Sequence, residues 1–185
     1  ELILQPSVTE RMRLAIRHDI DSDVVAALKQ AQIEHALGIR TSYYVLHTAA
    51  YYGFMDNGVF YRHECMAEVY RRIQELGHEV GLHTDPLMIY QDWKVDGAAA
   101  VVEELAWLRA NGLNISGTLA HNSVGVYGAS NYSIFKGRPL SLLRPEFPNE
   151  VEHNGKWAPL QVLDERELGL EYEGNDIFSQ GAASV

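Results

Sequence analysis

Three short runs of this chain concentrate carboxylates and imidazoles: Arg17-His18-Asp19-Ile20-Asp21, His78-Glu79-Val80-Gly81-Leu82-His83-Thr84-Asp85, and Ala120-His121-Asn122. Each follows an apolar run of strand type. If those strands are parallel neighbours, the runs converge at one end of a sheet, where the sites of parallel α/β folds form. A catalytic zinc takes three protein ligands from His and Asp/Glu and leaves one position open for water. Asp21, His83 and His121 meet that requirement. Zinc lowers the pKa of a water it binds to about 7, and a carboxylate that does not bind the metal can take the proton. The D-x-D spacing puts Asp19 and Asp21 on one face of an extended strand, so the pair offers one candidate for each role.

Each residue also has a plainer role. Asp19 and Asp21 could cap a helix that starts near Ser22. His18 could orient Asp19 or simply pack at a strand end, and His78, directly after Gly77, suits a structural position. Asp85 before Pro86 is a natural turn residue. Tyr43, Tyr44, Tyr51, Tyr52 and Trp93 could stack on sugar rings, but aromatics in such elements more often serve packing. His47 and His63 have no partner at a telling spacing and are read as structural or surface.

The elements that must position these groups alternate along the chain. Arg13 to Arg17 is expected as a strand, followed by a helix over 23–37 capped by Ser22 or Asp23 and stopped at Gly38. Thr41 to Leu46 is rich in β-formers, and Ala49 to Arg62 is expected as a loop with Asn57-Gly58 as a turn signal. A second helix covers 64–76, with Met66, Val69, Tyr70, Ile73 and Leu76 at helical spacing. His78 to Leu82 is a strand, Pro86 to Lys94 a loop, and 96–110 a third helix with Val101, Val102, Leu105 and Leu108 on one face. Ile115 to Ala120 is the next strand. Three helices stop at a glycine and lead directly into a strand, which argues for right-handed βαβ units and a parallel sheet or barrel. Beyond His121 the pattern weakens, with Leu140 to Leu143, Pro159 to Leu163 and Leu168 to Tyr172 as short strands.

His18-Asp19-Ile20-Asp21 and Gly77-His78-Glu79-Val80-Gly81-Leu82-His83 together resemble the polysaccharide deacetylases of the NodB-homology type (carbohydrate esterase family 4). The closer resemblance is to a bacterial branch with an H-D-[IV]-D first motif and a G-H-E-[IV]-G-L-H second motif. It covers about Arg13 to His121. It implies an α/β fold, a distorted (β/α)7 barrel, with too few clear strands before residue 185 to close it. It also implies a divalent metal, most often zinc, and hydrolysis of an N-acetyl or related amide on a sugar or cell-surface polysaccharide precursor. By position, Asp19 corresponds to the general base, Asp21 to the metal carboxylate and His83 to a metal histidine. One departure stands out. The family continues its second motif as H-[ST]-x-x-x-H or H-[ST]-x-x-H, whereas this chain runs His83-Thr84-Asp85-Pro86-Leu87-Met88. The third ligand must come from elsewhere, with His121 the first candidate and Asp85 the second.

Composition bounds these readings. The 185 residues suit one domain, 1–185, with a sizeable core. Fifteen Lys and Arg against 25 Asp and Glu give a net charge of −10, which disfavours nucleic acid and anionic membrane as partners. No apolar run approaches the roughly 20 residues of a membrane span. No signal peptide is visible, and the acidic chain with its single cysteine suits the cytoplasm. Cys65 is expected to be a buried, inert thiol. Two rival functions carry weight. The missing motif histidine would suit a non-catalytic relative that binds a glycan or protein. His83, Asp85 and His121 also spell the two-His-one-carboxylate triad of an iron(II) oxygenase, although the helical periodicity runs against the double-stranded β-helix of those enzymes.

Overall fold

The structure is a computed structural model and describes residues 14–122, 124–138, 140, 150–153 and 156–176. It is a mixed α/β fold. The elements in chain order are β1 (Arg17–Ile20), α1 (Val24–Ala36), β2 (Ser42–Leu46), β3 (Gly53–Asp56), β4 (Val59–Arg62), α2 (Cys65–Glu75) and β5 (Glu79–Thr84). After them come α3 (Pro86–Met88), which runs into a π-helical turn at Ile89–Trp93, then α4 (Gly97–Ala110), β6 (Gly117–Ala120) and α5 (Val124–Tyr127). A 3-10 turn (Asn131–Ile134), the β7 (Glu150–His153) and β8 (Lys156–Pro159) ribbon, and β9 (Tyr172–Glu173) complete the described chain.

The central sheet has five strands in the order β1-β2-β5-β6-β9, and every neighbouring pair is parallel. Spatial order follows chain order without reversal. With right-handed crossovers this places the connecting helices on one face of the sheet, and α1 packs on α2. Because the strands are parallel, their carboxyl ends share one edge.

Local sequence explains the helices. Asp23 caps α1 by accepting from the Ala26 amide at 2.9 Å, and Asp96 caps α4 by accepting from the Ala99 amide at 3.0 Å. Gly38, Gly77 and Gly112 follow the three long helices with φ of 72°, 91° and 83°, the left-handed conformation that ends a helix without a Cβ penalty. Ala31, Tyr70, Ile73, Val101, Leu105 and Leu108 from these helices are buried with Tyr43, Val45, Val80 and Leu82 of the sheet. Val102, expected on the buried face of α4, is exposed.

Several expectations need correction. The first strand is Arg17–Ile20, so His18 and Asp19 lie within it and Asp21 just beyond it; Arg13 lies outside the described residues. The span 49–62 is not a loop throughout. It holds the antiparallel β3–β4 hairpin, turned by Asn57 and Gly58 with φ of 48° and 78°, as a tight hairpin turn requires. The span 86–94 is largely helical. Cys65 is exposed, because it opens α2 before the helix meets the core. Leu140 carries no regular structure and 141–143 lie outside the described residues. The two later strand expectations hold only at their edges, at Pro159 and Tyr172.

On the face away from the helices, glycines make room for tyrosine rings. A Cβ on Gly117 would run into the Tyr172 ring, and one on Gly81 would lie 2.6 Å from the Tyr44 ring. The Tyr44 and Tyr172 hydroxyls meet at 2.9 Å, and Tyr172 also donates to Glu79 at 2.5 Å, so neither ring can retreat freely. Gly117→Ala is therefore expected to destabilise the fold by about 1–3 kcal/mol through overpacking, seen as a lower urea midpoint at an unchanged m-value.

Candidate metal centre

The two-residue period of β1 separates its motif residues. His18 is directed toward α1, where its Nε2–H donates to Glu34 at 2.7 Å. Glu34 also accepts from Tyr43 at 2.7 Å and from Thr41 at 2.8 Å. Burial pushes the Glu34 carboxyl up, but the hydrogen bonds from Tyr43, Thr41 and His18 prevail and hold it at about 2. His78 is buried beside this cluster and donates to the Ala31 carbonyl at 2.9 Å. Both histidines thus tie α1 to the sheet. Asp19 takes the opposite face, beside Tyr44 and then Gly81 in register.

Asp21, His83 and His121 come together at the carboxyl ends of β1, β5 and β6. Each offers one ligand atom, and these atoms lie within 4.8 Å of one another. The His83 Nδ1–H donates to the Leu119 carbonyl at 2.8 Å, which leaves Nε2 bare, 3.5 Å from Asp21. Burial pushes the His83 pKa down, which favours the neutral ring that a metal binds. The His121 ring stands 5.0 Å from the His83 ring and nearly perpendicular to it, at 83°. Its Nδ1 lies 3.2 Å from the Asp85 carboxylate, and that hydrogen bond raises its pKa. Tyr51 pins the strand ends beneath Asp21, donating to the Ile20 carbonyl at 2.6 Å and accepting from the Leu46 amide at 2.9 Å.

Asp19 is not among the clustered ligand atoms. Its carboxylate faces Arg17 at 3.3 Å, although it is close enough to act electrostatically on both His83 and His121. Asp85, the second candidate for the third ligand, is placed differently from the oxygenase-type set. It is buried and accepts from Thr48 at 3.1 Å and Asn131 at 2.7 Å besides its contact with His121. The position that the expected motif histidine would occupy, 87 or 88, falls in α3, where Leu87 is buried in the core.

Sequence reasoning gives no role to several residues here. Arg17, Asn122, Ser130, Tyr132 and Asn175 line a cleft of about 600 Å³ that also contains Asp19, Asp21, His83 and His121. Glu173, at the end of β9, is fully buried; it accepts from the Ala120 amide at 2.6 Å and from the Asn175 amide at 2.8 Å, fixing the strand end that carries His121. Burial pushes its carboxyl up to about 7. Its only signal in the sequence is a second glutamate in Glu171-Tyr172-Glu173.

His47, read as structural or surface, is buried and accepts from the Asp85 amide at 2.8 Å. Burial drives its pKa down to about 4, against the pull of Asp85. In the unfolded chain the ring titrates near about 6.5. The unfolded state therefore gains a proton between about pH 6.5 and 4 that the folded state refuses, and stability falls as the pH is lowered through that window. The expected slope from this group is about 1.4 kcal/mol per pH unit. Urea unfolding across that range should show a shallower loss in His47→Gln, whose side-chain oxygen can still accept from the Asp85 amide.

Comparison of the chain with family models, with curated proteins and with solved structures finds no match. Among the described residues no helix is long and apolar enough to cross a membrane. The Asp21, His83 and His121 group could hold a metal ion.

Proposed function

We propose that the chain is a metal-dependent hydrolase of the polysaccharide-deacetylase type, removing an N-acetyl or related amide group from a sugar or cell-surface polysaccharide precursor. The observation that carries this reading is the convergence of Asp21, His83 and His121 from three parallel strand ends into one cleft, with the Asp19 carboxylate beside them but outside the ligand group. Two imidazoles and a carboxylate suit zinc. When bound, such an ion supplies an activated water and polarises the amide carbonyl. Asp19, oriented by Arg17, takes the proton of the attacking water. Asn122, Ser130 and Asn175 offer the hydroxyl and amide groups that bind a polyhydroxylated ring. The unreversed strand order supports the finer reading of a distorted (β/α)7 barrel, because a doubly wound sheet would reverse at a switch point.

The test is acetate release from a panel of N-acetylated sugars by zinc-loaded protein, with a chelated sample as control. Acetate release that stops on chelation is the expected result. Zinc-bound protein that releases no acyl group from any of them would sink the hydrolase reading.

A further inference from the structure

The hydrogen bonds behind His121 have only one consistent polarity, and it is set by Asn131, outside the ligand cluster. Asn131 is fully buried and meets three partners. The Leu87 amide, which can only donate, lies 2.9 Å from its side-chain oxygen. Its Nδ2 lies 2.9 Å from the His121 carbonyl and 2.7 Å from Asp85 Oδ1, both of which accept. The amide of Asn131 is therefore locked in one orientation, with a donor facing Asp85. The other Asp85 oxygen is left to accept from Thr48 at 3.1 Å and from His121 Nδ1 at 3.2 Å.

We propose that Asp85, locked by Asn131, is a positioning residue that holds the proton of His121 on Nδ1 and so keeps Nε2 bare for a metal ion. This rests on the metal-centre reading of Asp21, His83 and His121, and it extends that reading to residues that bind no metal. Carboxylates that accept from a ligating imidazole set its tautomer and raise its basicity. Here the carboxylate is itself oriented by a buried amide whose side chain hydrogen-bonds the Leu87 amide, Asp85 and the His121 backbone carbonyl.

Asp85→Asn tests the lock sharply. The new amide must turn its oxygen to the Asn131 donor, because the reverse orientation would set two NH2 groups face to face. Its own Nδ2 then points at His121 and Thr48, whose nitrogen and hydroxyl can both accept. All the contacts survive, but His121 must move its proton to Nε2, the atom the metal needs.

The experiment is long-range 1H–15N correlation of 15N-histidine-labelled, metal-free protein, at a pH where the rings are neutral, with His121 assigned by its loss in His121→Gln. The wild type should show His121 protonated on Nδ1, and Asp85→Asn should show it on Nε2. His83, which donates to the Leu119 carbonyl, should stay protonated on Nδ1 in both and serves as the internal control. Zinc affinity should fall about 10- to 100-fold in Asp85→Asn. A wild-type His121 protonated on Nε2 would overturn the proposal without any variant. So would an Asp85→Asn protein that keeps the Nδ1 proton or binds zinc as tightly as the wild type. None of these readouts uses a sugar substrate, so failure of the deacetylase reading would be seen separately, as zinc-loaded protein without acyl release.

Discussion

Asp19→Asn is expected to lower turnover by about 10²- to 10⁴-fold, the usual worth of a positioned general base, while leaving metal content unchanged. Asparagine matches aspartate in size and can remain beside Arg17, but it cannot accept a proton from water. The prediction separates the two carboxylates of the D-x-D motif. Asp21 contributes an atom to the ligand group and Asp19 does not, although Asp19 lies in the same cleft. Metal analysis and acetate release on Asp19→Asn and Asp21→Asn, side by side, decide the matter. Loss of metal in Asp19→Asn would make Asp19 a ligand. Retained activity would move the base elsewhere in the cleft.

The positions of this pair show where the sequence is legible. Period-two geometry by itself puts Asp19 and Asp21 on one side of an extended segment, and His83 and His121 both follow apolar strand runs. Convergence at one sheet edge needs only the helix-glycine-strand recurrence, whose glycines do take left-handed φ values. What is not legible depends on contacts distant in the chain. Asp85 resembles a turn residue because its partners, Thr48 and Asn131, lie 37 and 46 residues away. Glu173 gains its role only when β9 pairs beside β6. The β3–β4 hairpin is hidden for a different reason. Its strands have four residues each, too short for alternation to outweigh the glycines and polar residues around them. Cys65 escapes a sequence reading because helical spacing fixes the phase of a helix but not where along its length the core begins.

The structure also gives a reason why the proposed ligand set can omit the second histidine of the motif that the sequence resembles. In the motif that the sequence resembles, that ligand would come from the segment after the strand that carries His83. Here α3 begins there, Leu87 is buried in the core, and the Leu87 amide is taken by Asn131. In the proposed site the imidazole is instead supplied by the next strand in the sheet. His121 follows β6, which pairs with β5 so that His83 sits beside Leu119. A ligand moved from a following loop to a neighbouring strand end still reaches the same point, because parallel strands deliver their carboxyl ends to one edge.

His83→Ala is expected to abolish metal binding, and the effect should exceed that of His121→Ala. His83 is almost fully buried, whereas His121 is partly exposed and Asp21 mostly so. Its Nδ1 contact with the Leu119 carbonyl fixes the ring within the sheet. At the His121 position, by contrast, solvent has access and water can take over a coordination site. The expected sequence by elemental analysis after zinc loading is about one ion per wild-type chain, partial occupancy in His121→Ala, and none in His83→Ala. Binding to the folded state should also stabilise it, so zinc should raise the Tm of the wild type, raise it less in His121→Ala and leave His83→Ala unmoved. A His83→Ala protein that still binds zinc stoichiometrically and is stabilised by it would place the metal elsewhere and detach it from Asp21 and His121 as well.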